Sequence, residues 1–189
     1  MLTILLSIST FAVAVLLTSS DSKVYAVTVN KPLFSVKLLD NWAYANAKLQ
    51  NGEGSGIIVI PTEFSDFLAN SNGDYQKLLE NLSVYSLLIA DTSYPFENVP
   101  LDIYVQYRVN ASYDAFMLWP KKNTAIDGKK ALKIYGNVGD NSTNADQMVG
   151  YYVFYEGNPY RLEFYATENY YQKYLPQFEK MVKTFKFVK

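Results

Sequence analysis

The sequence predicts an α+β fold, an antiparallel sheet covered by helices. Three observations point there. Apolar residues recur with a period of two in several short runs, as in "LFSVKLL", where Phe34, Val36 and Leu38 share a side. Turn formers such as Asp40-Asn41, Asn51-Gly52, Asp127-Gly128 and Gly157-Asn158 separate those runs. The C-terminus carries a helical stripe, Tyr174, Leu175, Phe178, Met181, Val182 and Phe185, with Lys173, Lys180 and Lys183 off it.

Along the chain, Leu33–Leu39 and Trp42–Leu49 are expected strands, the second closed by Asn51-Gly52. "SGIIVIP" is one continuous apolar run ended by Pro61, the mark of a strand buried on both faces. Tyr75, Leu78, Leu79 and Leu82 fall on one helix face, which Asn72 or Asp74 can cap. "PLDIYVQYRV" alternates as a strand does, yet Pro100 suits a first helical position and Asn98 a cap. "ALKIYGNV" is a strand, and "GDNSTNADQ" a polar loop. Pro176 is expected to kink the last helix or restart it near that position.

The chain has 189 residues, enough for one domain plus a leader, and a net charge of −1, so no broad basic field invites nucleic acid. It has no cysteine and no histidine. Disulfides and thiol chemistry are excluded, and so are the commonest general base and the commonest soft-metal ligand. The N-terminus is apolar from Leu2 to Leu17, short for a membrane span, and Val24-Tyr25-Ala26 offers a cleavage site. Residues 1–26 are therefore read as a signal peptide or signal anchor, and 27–189 as the mature domain starting at Val27. The protein is expected outside the cytoplasm, secreted or at the cell surface, and at a membrane only through an uncleaved N-terminal segment. Asn81, Asn110 and Asn141 each open an Asn-x-Ser/Thr sequon.

Other residues weigh against specific chemistry. No G-x-S-x-G and no glycine-rich phosphate loop occurs. Glu63 with Asp66 resembles a hydrolase carboxylate pair only as any two surface acids do. Asp140, Ser142, Asn144 and Asp146 have the first four spacings of a calcium loop, but Ala145 replaces its glycine and Tyr151 its closing glutamate. No metal, cofactor or catalytic residue is expected. Lys121-Lys122 and Lys129-Lys130 are read as solvated turns that could face an anionic lipid or polymer. Trp42 and Trp119 are read as core rings.

The most informative stretch is "YYVFYEGNPYRLEFYA", with seven aromatics in sixteen residues. A Gly157-Asn158 tip pairs Tyr155 with Tyr160, Val153 with Leu162, Phe154 with Arg161 and Tyr152 with Glu163. Tyr151, Val153, Tyr155, Tyr160, Leu162 and Phe164 then form one core face under the C-terminal helix. Tyr152, Phe154, Arg161, Glu163 and Tyr165 form the other. That second face is either covered by the middle helix or left partly open as a partner-binding patch. An open patch would tolerate truncation of Tyr152 and Tyr165 with little loss of stability.

"FSVKLLDNW", "AIDGKKALKIYG" and "EGNPYRLEFYATENYYQKYLPQFEKMVKTFKF" together resemble the PsbP-like (Mog1/PsbP-fold) family, closest to secreted archaeal PsbP-like proteins. The first is similar to its opening strand and turn tryptophan, the second to its glycine turn before a core strand, and the third to its closing strand, helix and "SFxF" end, with Thr184 for the serine. Leu39 stands where the family often has proline. The resemblance implies a Mog1/PsbP-like α-β-α sandwich with a central antiparallel sheet, and a helix over Pro100–Asn110 against the alternation. It implies a non-enzymatic binding or scaffold module whose partner is an unknown protein or polysaccharide of the cell envelope. A carrier of a small apolar or aromatic ligand and a carboxylate-dependent hydrolase are the alternatives.

Overall fold

The computed structural model describes residues 25–47, 55–70, 79, 81–92, 99–112, 121–137 and 146–188. Ten strands and three helices appear among them: β1 (Tyr25–Asn30), β2 (Phe34–Leu39), β3 (Trp42–Ala47), β4 (Ser55–Pro61), α1 (Ser65–Asn70), β5 (Val84–Ala90), α2 (Leu101–Ser112), β6 (Lys122–Ile126), β7 (Lys129–Asn137), β8 (Gln147–Tyr155), β9 (Asn158–Ala166), α3 (Glu168–Val182) and β10 (Lys186–Phe187). A seven-stranded sheet runs in the order β3-β4-β5-β9-β8-β7-β6, and a three-stranded sheet in the order β1-β2-β10. Every pairing is antiparallel. The fold is the α+β arrangement that the sequence predicts.

The large sheet is buried on both faces. β4 shows why its apolar run does not alternate: Ile57 and Val59 face one core, Ile58 and Ile60 the other, and all four are fully buried. The first core lies under α3 and the small sheet. Tyr174, Phe178, Met181 and Val182 of α3 pack there on Tyr151, Val153, Tyr160, Leu162 and Phe164 of the β8–β9 hairpin. Phe178 stacks on Phe164 with ring centroids 5.4 Å apart, and Trp42 meets Tyr174 edge-on at 5.6 Å. The Trp42 indole donates to Gln177 Oε1 at 2.9 Å, so this tryptophan is the core ring expected of it. The second core lies under α2, whose Tyr104, Val105 and Val109 are buried against β8 and β9.

Two expectations need correcting. α3 is one continuous helix through Pro176 and does not restart there. Pro176 sits on the exposed side, where solvent can take the carbonyl freed by its missing N–H, while Tyr174 and Phe178 anchor the helix on either side of it. The tip of the last hairpin is Glu156-Gly157, one residue earlier than expected. Glu156 takes φ 50° and Gly157 φ 77°, the two positive angles a two-residue turn of this twist requires. Asn158 instead closes the turn opposite Tyr155 and donates to the Glu156 carbonyl at 3.2 Å.

β5 and β1 were not expected as strands. β5 pairs with β4 and β9 in the middle of the large sheet. β1 pairs with β2 and starts at Tyr25, two residues ahead of the expected mature N-terminus. The expected helix around Tyr75–Leu82 falls mostly outside the described residues, although Leu82 itself is fully buried. Asn51-Gly52, Trp119, Asn141 and the residues 138–145 of the expected loop also lie outside them.

Candidate binding surface

The corrected register moves each β9 residue's partner by two positions, so the two faces keep the members read from the sequence. Tyr152 now lies opposite Arg161, Phe154 opposite Pro159, and Glu163 opposite Gly150. The pairings of Arg161 with Phe154 and of Glu163 with Tyr152 are thereby replaced.

The second face is covered. Tyr152 is 2%, Glu163 3% and Tyr165 3% exposed, the Arg161 side chain is 15% exposed, and Phe154 is half-buried. α2 closes over them through Tyr104, whose ring sits 5.3 Å from Phe154 and 6.4 Å from Tyr152. Tyr165 stacks on Tyr85 of β5 at 4.8 Å. The reading in which these five residues form an open patch gives way to the one in which the middle helix covers them.

Their polar atoms converge on Glu163. Its Oε1 accepts the Tyr152 hydroxyl at 2.8 Å. Its Oε2 accepts the Tyr165 hydroxyl at 3.2 Å and Arg161 Nη1 at 3.3 Å. A buried carboxylate survives only with such partners. Burial works against the Arg161 charge, but Glu163 outweighs it and holds the guanidinium well above its ordinary value. Burial also pushes the Tyr104 phenol up to about 12.

Gly150 makes this geometry possible. The Tyr152 ring folds back across it, and a Cβ at Gly150 would stand 2.6 Å from Tyr152 Cε2 and 2.9 Å from its hydroxyl. Gly150→Ala must therefore push the ring off Glu163. We expect a loss of about 1–3 kcal/mol, the cost of leaving a buried acceptor unpaired, read as a lower denaturation midpoint at unchanged slope. An unchanged midpoint would show that the ring can move without consequence.

Among the described residues an open concavity lies elsewhere, on the other side of the sheet near its β6 edge. A cleft of about 370 Å³ runs between the β6–β7 hairpin and the C-terminal end of α3. Lys122, Lys133, Lys183, Asp127, Glu179 and Tyr151 line it. Asp127-Gly128 is the expected turn, with φ 46° and 75°, and it places Lys122 directly opposite Lys133. Lys133 is ion-paired with Glu179 and lies 4.7 Å and 5.1 Å from the Tyr135 and Tyr151 ring centroids. Burial lowers its proton affinity, but the Glu179 bond reverses this and leaves the ammonium above its ordinary value. Asp127 accepts from Lys186 at 2.6 Å and from the Phe187 amide at 3.2 Å, and the Lys186 bond above all holds its carboxyl below the usual range. An ionised acid of this kind is the opposite of the raised carboxyl that a glycosidase acid needs.

Glu63, offered above as one of a carboxylate pair, is instead a tie between β4's end and α3. It accepts the Tyr174 hydroxyl at 2.6 Å and pairs with Lys173 at 3.3 Å. Sequence reading missed the cleft because its lining comes from β6, β7, β8 and α3. The signal available was the concentration of lysines in Lys121–Lys133 and Lys180–Lys186.

No protein-family profile matches the chain, and no curated protein matches it. Among solved structures, it is similar to the cyanobacterial PsbP (CyanoP) from Synechocystis sp. PCC 6803, with a TM-score of 0.51 at 11% identity over 82% of this chain and 86% of that one. A protein of unknown function from Pseudomonas aeruginosa matches with a TM-score of 0.45 at 10% identity, over 79% and 88% of the two chains. LpqN, involved in cell envelope biogenesis of Mycobacterium tuberculosis, matches with a TM-score of 0.43 at 8% identity, over 86% and 90%. The fold is PsbP-like, an α+β sandwich around a seven-stranded antiparallel sheet.

Proposed function

We propose that this protein is an extracytoplasmic binding module that does no chemistry on its ligand. The observation that carries the reading is the cleft beside β6. It is concave, polar and open, and its two carboxylates are committed to lysines rather than poised for proton transfer. The placement outside the cytoplasm rests on the leader, Leu2–Leu17 followed by Val24-Tyr25-Ala26. Among the described residues no helix is long and apolar enough to cross a membrane. The PsbP-like fold agrees with the reading without fixing it, because function lives in the site. The partner we propose is a component of the cell envelope.

The test uses the full chain expressed in its own cells, with Thr124→Trp as a variant that fills the cleft from its β6 wall. The native chain is expected in the extracytoplasmic fraction, retaining envelope material on affinity capture. The variant, equally stable, is expected to lose that material. Equal retention by both would remove the cleft from the account. A native chain found in the cytosol with Met1 intact would remove the localisation.

A further inference from the structure

We infer that the cleft beside β6 holds a phosphate group carried on a small polar organic unit, an inference that rests on the cleft being the binding site. Three lysines and two carboxylates line it. Glu179 is taken by Lys133, and Asp127 by Lys186 from outside the lining. Among the described residues the ammonium groups of Lys122 and Lys183 are then left without a hydrogen-bonding or ionic partner.

The register sharpens the point. Lys122 stands directly across from Lys133, and like charges directly opposed on neighbouring strands repel. Lys133 is neutralised by Glu179, while Lys122 faces the cleft with its charge uncompensated. Lys121, Lys129 and Lys130 add positive charge on the same hairpin. The chain as a whole carries −1, so this corner is a local reversal of sign.

Two lysines act as strong, mobile point charges, and a doubly charged oxyanion can satisfy both. The Thr124 hydroxyl, also in the lining, supplies a neutral polar contact. A cleft of about 370 Å³ has far more room than bare phosphate needs. The remaining space suits the group that carries it, and the Tyr151 ring in the wall offers that group an apolar surface.

The experiment titrates the full chain with glycerol phosphate, with inorganic phosphate and with glycerol, followed by calorimetry. A second arm uses vesicles containing phosphatidic acid, whose phosphate is a monoester, against vesicles of phosphatidylcholine alone. Binding of glycerol phosphate but not glycerol supports a soluble phosphorylated ligand. Binding of phosphatidic acid vesicles alone supports the same phosphomonoester presented on a lipid. In either case Lys122→Met with Lys183→Met should weaken binding by about tenfold or more at unchanged thermal stability. Binding that is unchanged in this double variant, or absent in both arms, overturns the inference. Retention of envelope material by that variant but not by Thr124→Trp would leave the cleft as the binding site and refute only the anion.

Discussion

Glu163→Gln should cost the fold about 3–5 kcal/mol, because it leaves the Arg161 guanidinium buried without its counter-charge. The carboxylate is 3% exposed and accepts Tyr152, Tyr165 and Arg161 together. Glutamine keeps the size and one acceptor oxygen but cannot balance the cation. At this chain length a loss of that size lowers the melting temperature by roughly 10 °C. The double variant Arg161→Met with Glu163→Gln should recover part of the loss, since the stranded charge is then gone. A thermal scan of the three proteins decides it. A Glu163→Gln protein within about 0.5 kcal/mol of the native one would mean that water reaches the cluster.

Phe178→Ala should cost a similar amount, about 3–5 kcal/mol, through a different mechanism. Phe178 is fully buried in the middle of α3, stacked on Phe164 at 5.4 Å and 6.1 Å from the Tyr151 ring. Removing it empties the centre of the core between α3 and the hairpin. The surrounding rings are rigid and tied to one another, so the space cannot close. Phe178→Leu keeps most of the volume and should cost less than about 1.5 kcal/mol. Denaturant unfolding of both variants separates the cavity from mere loss of an aromatic ring. Equal small losses in the two would contradict the packing described.

These two residues also mark how far the sequence could be read. Phe178 was legible, because a stripe at helical spacing with lysines off it has one reading. So was the face of the β8–β9 hairpin on which Glu163 lies, since alternation assigns faces whatever the register. The register itself was not. It depends on Glu156 taking a left-handed angle, a position the sequence offers more readily to Gly157 or Asn158. α2 was legible only through the family resemblance. Its sequence alternates, and it exposes Ile103 and Tyr107 while burying Tyr104, Val105 and Val109, so its own pattern does not mark a single apolar face. Whether the second face of the hairpin is open or closed is decided by that helix. The cleft was legible only as a surplus of lysines, because it forms where the β6–β7 hairpin and β8 meet the end of α3, which is distant in the chain.

The hairpin's second face is a closed structural layer, and for that reason the proposed binding site is the cleft. Nitration of tyrosines in the native protein, mapped by mass spectrometry of its peptides, tests this most directly. Among the described tyrosines Tyr107, at 62% exposure, should react first, and Tyr85, Tyr152 and Tyr165, each at 3% or less, should react only once the protein unfolds. Modification of Tyr152 or Tyr165 as fast as Tyr107 would contradict it.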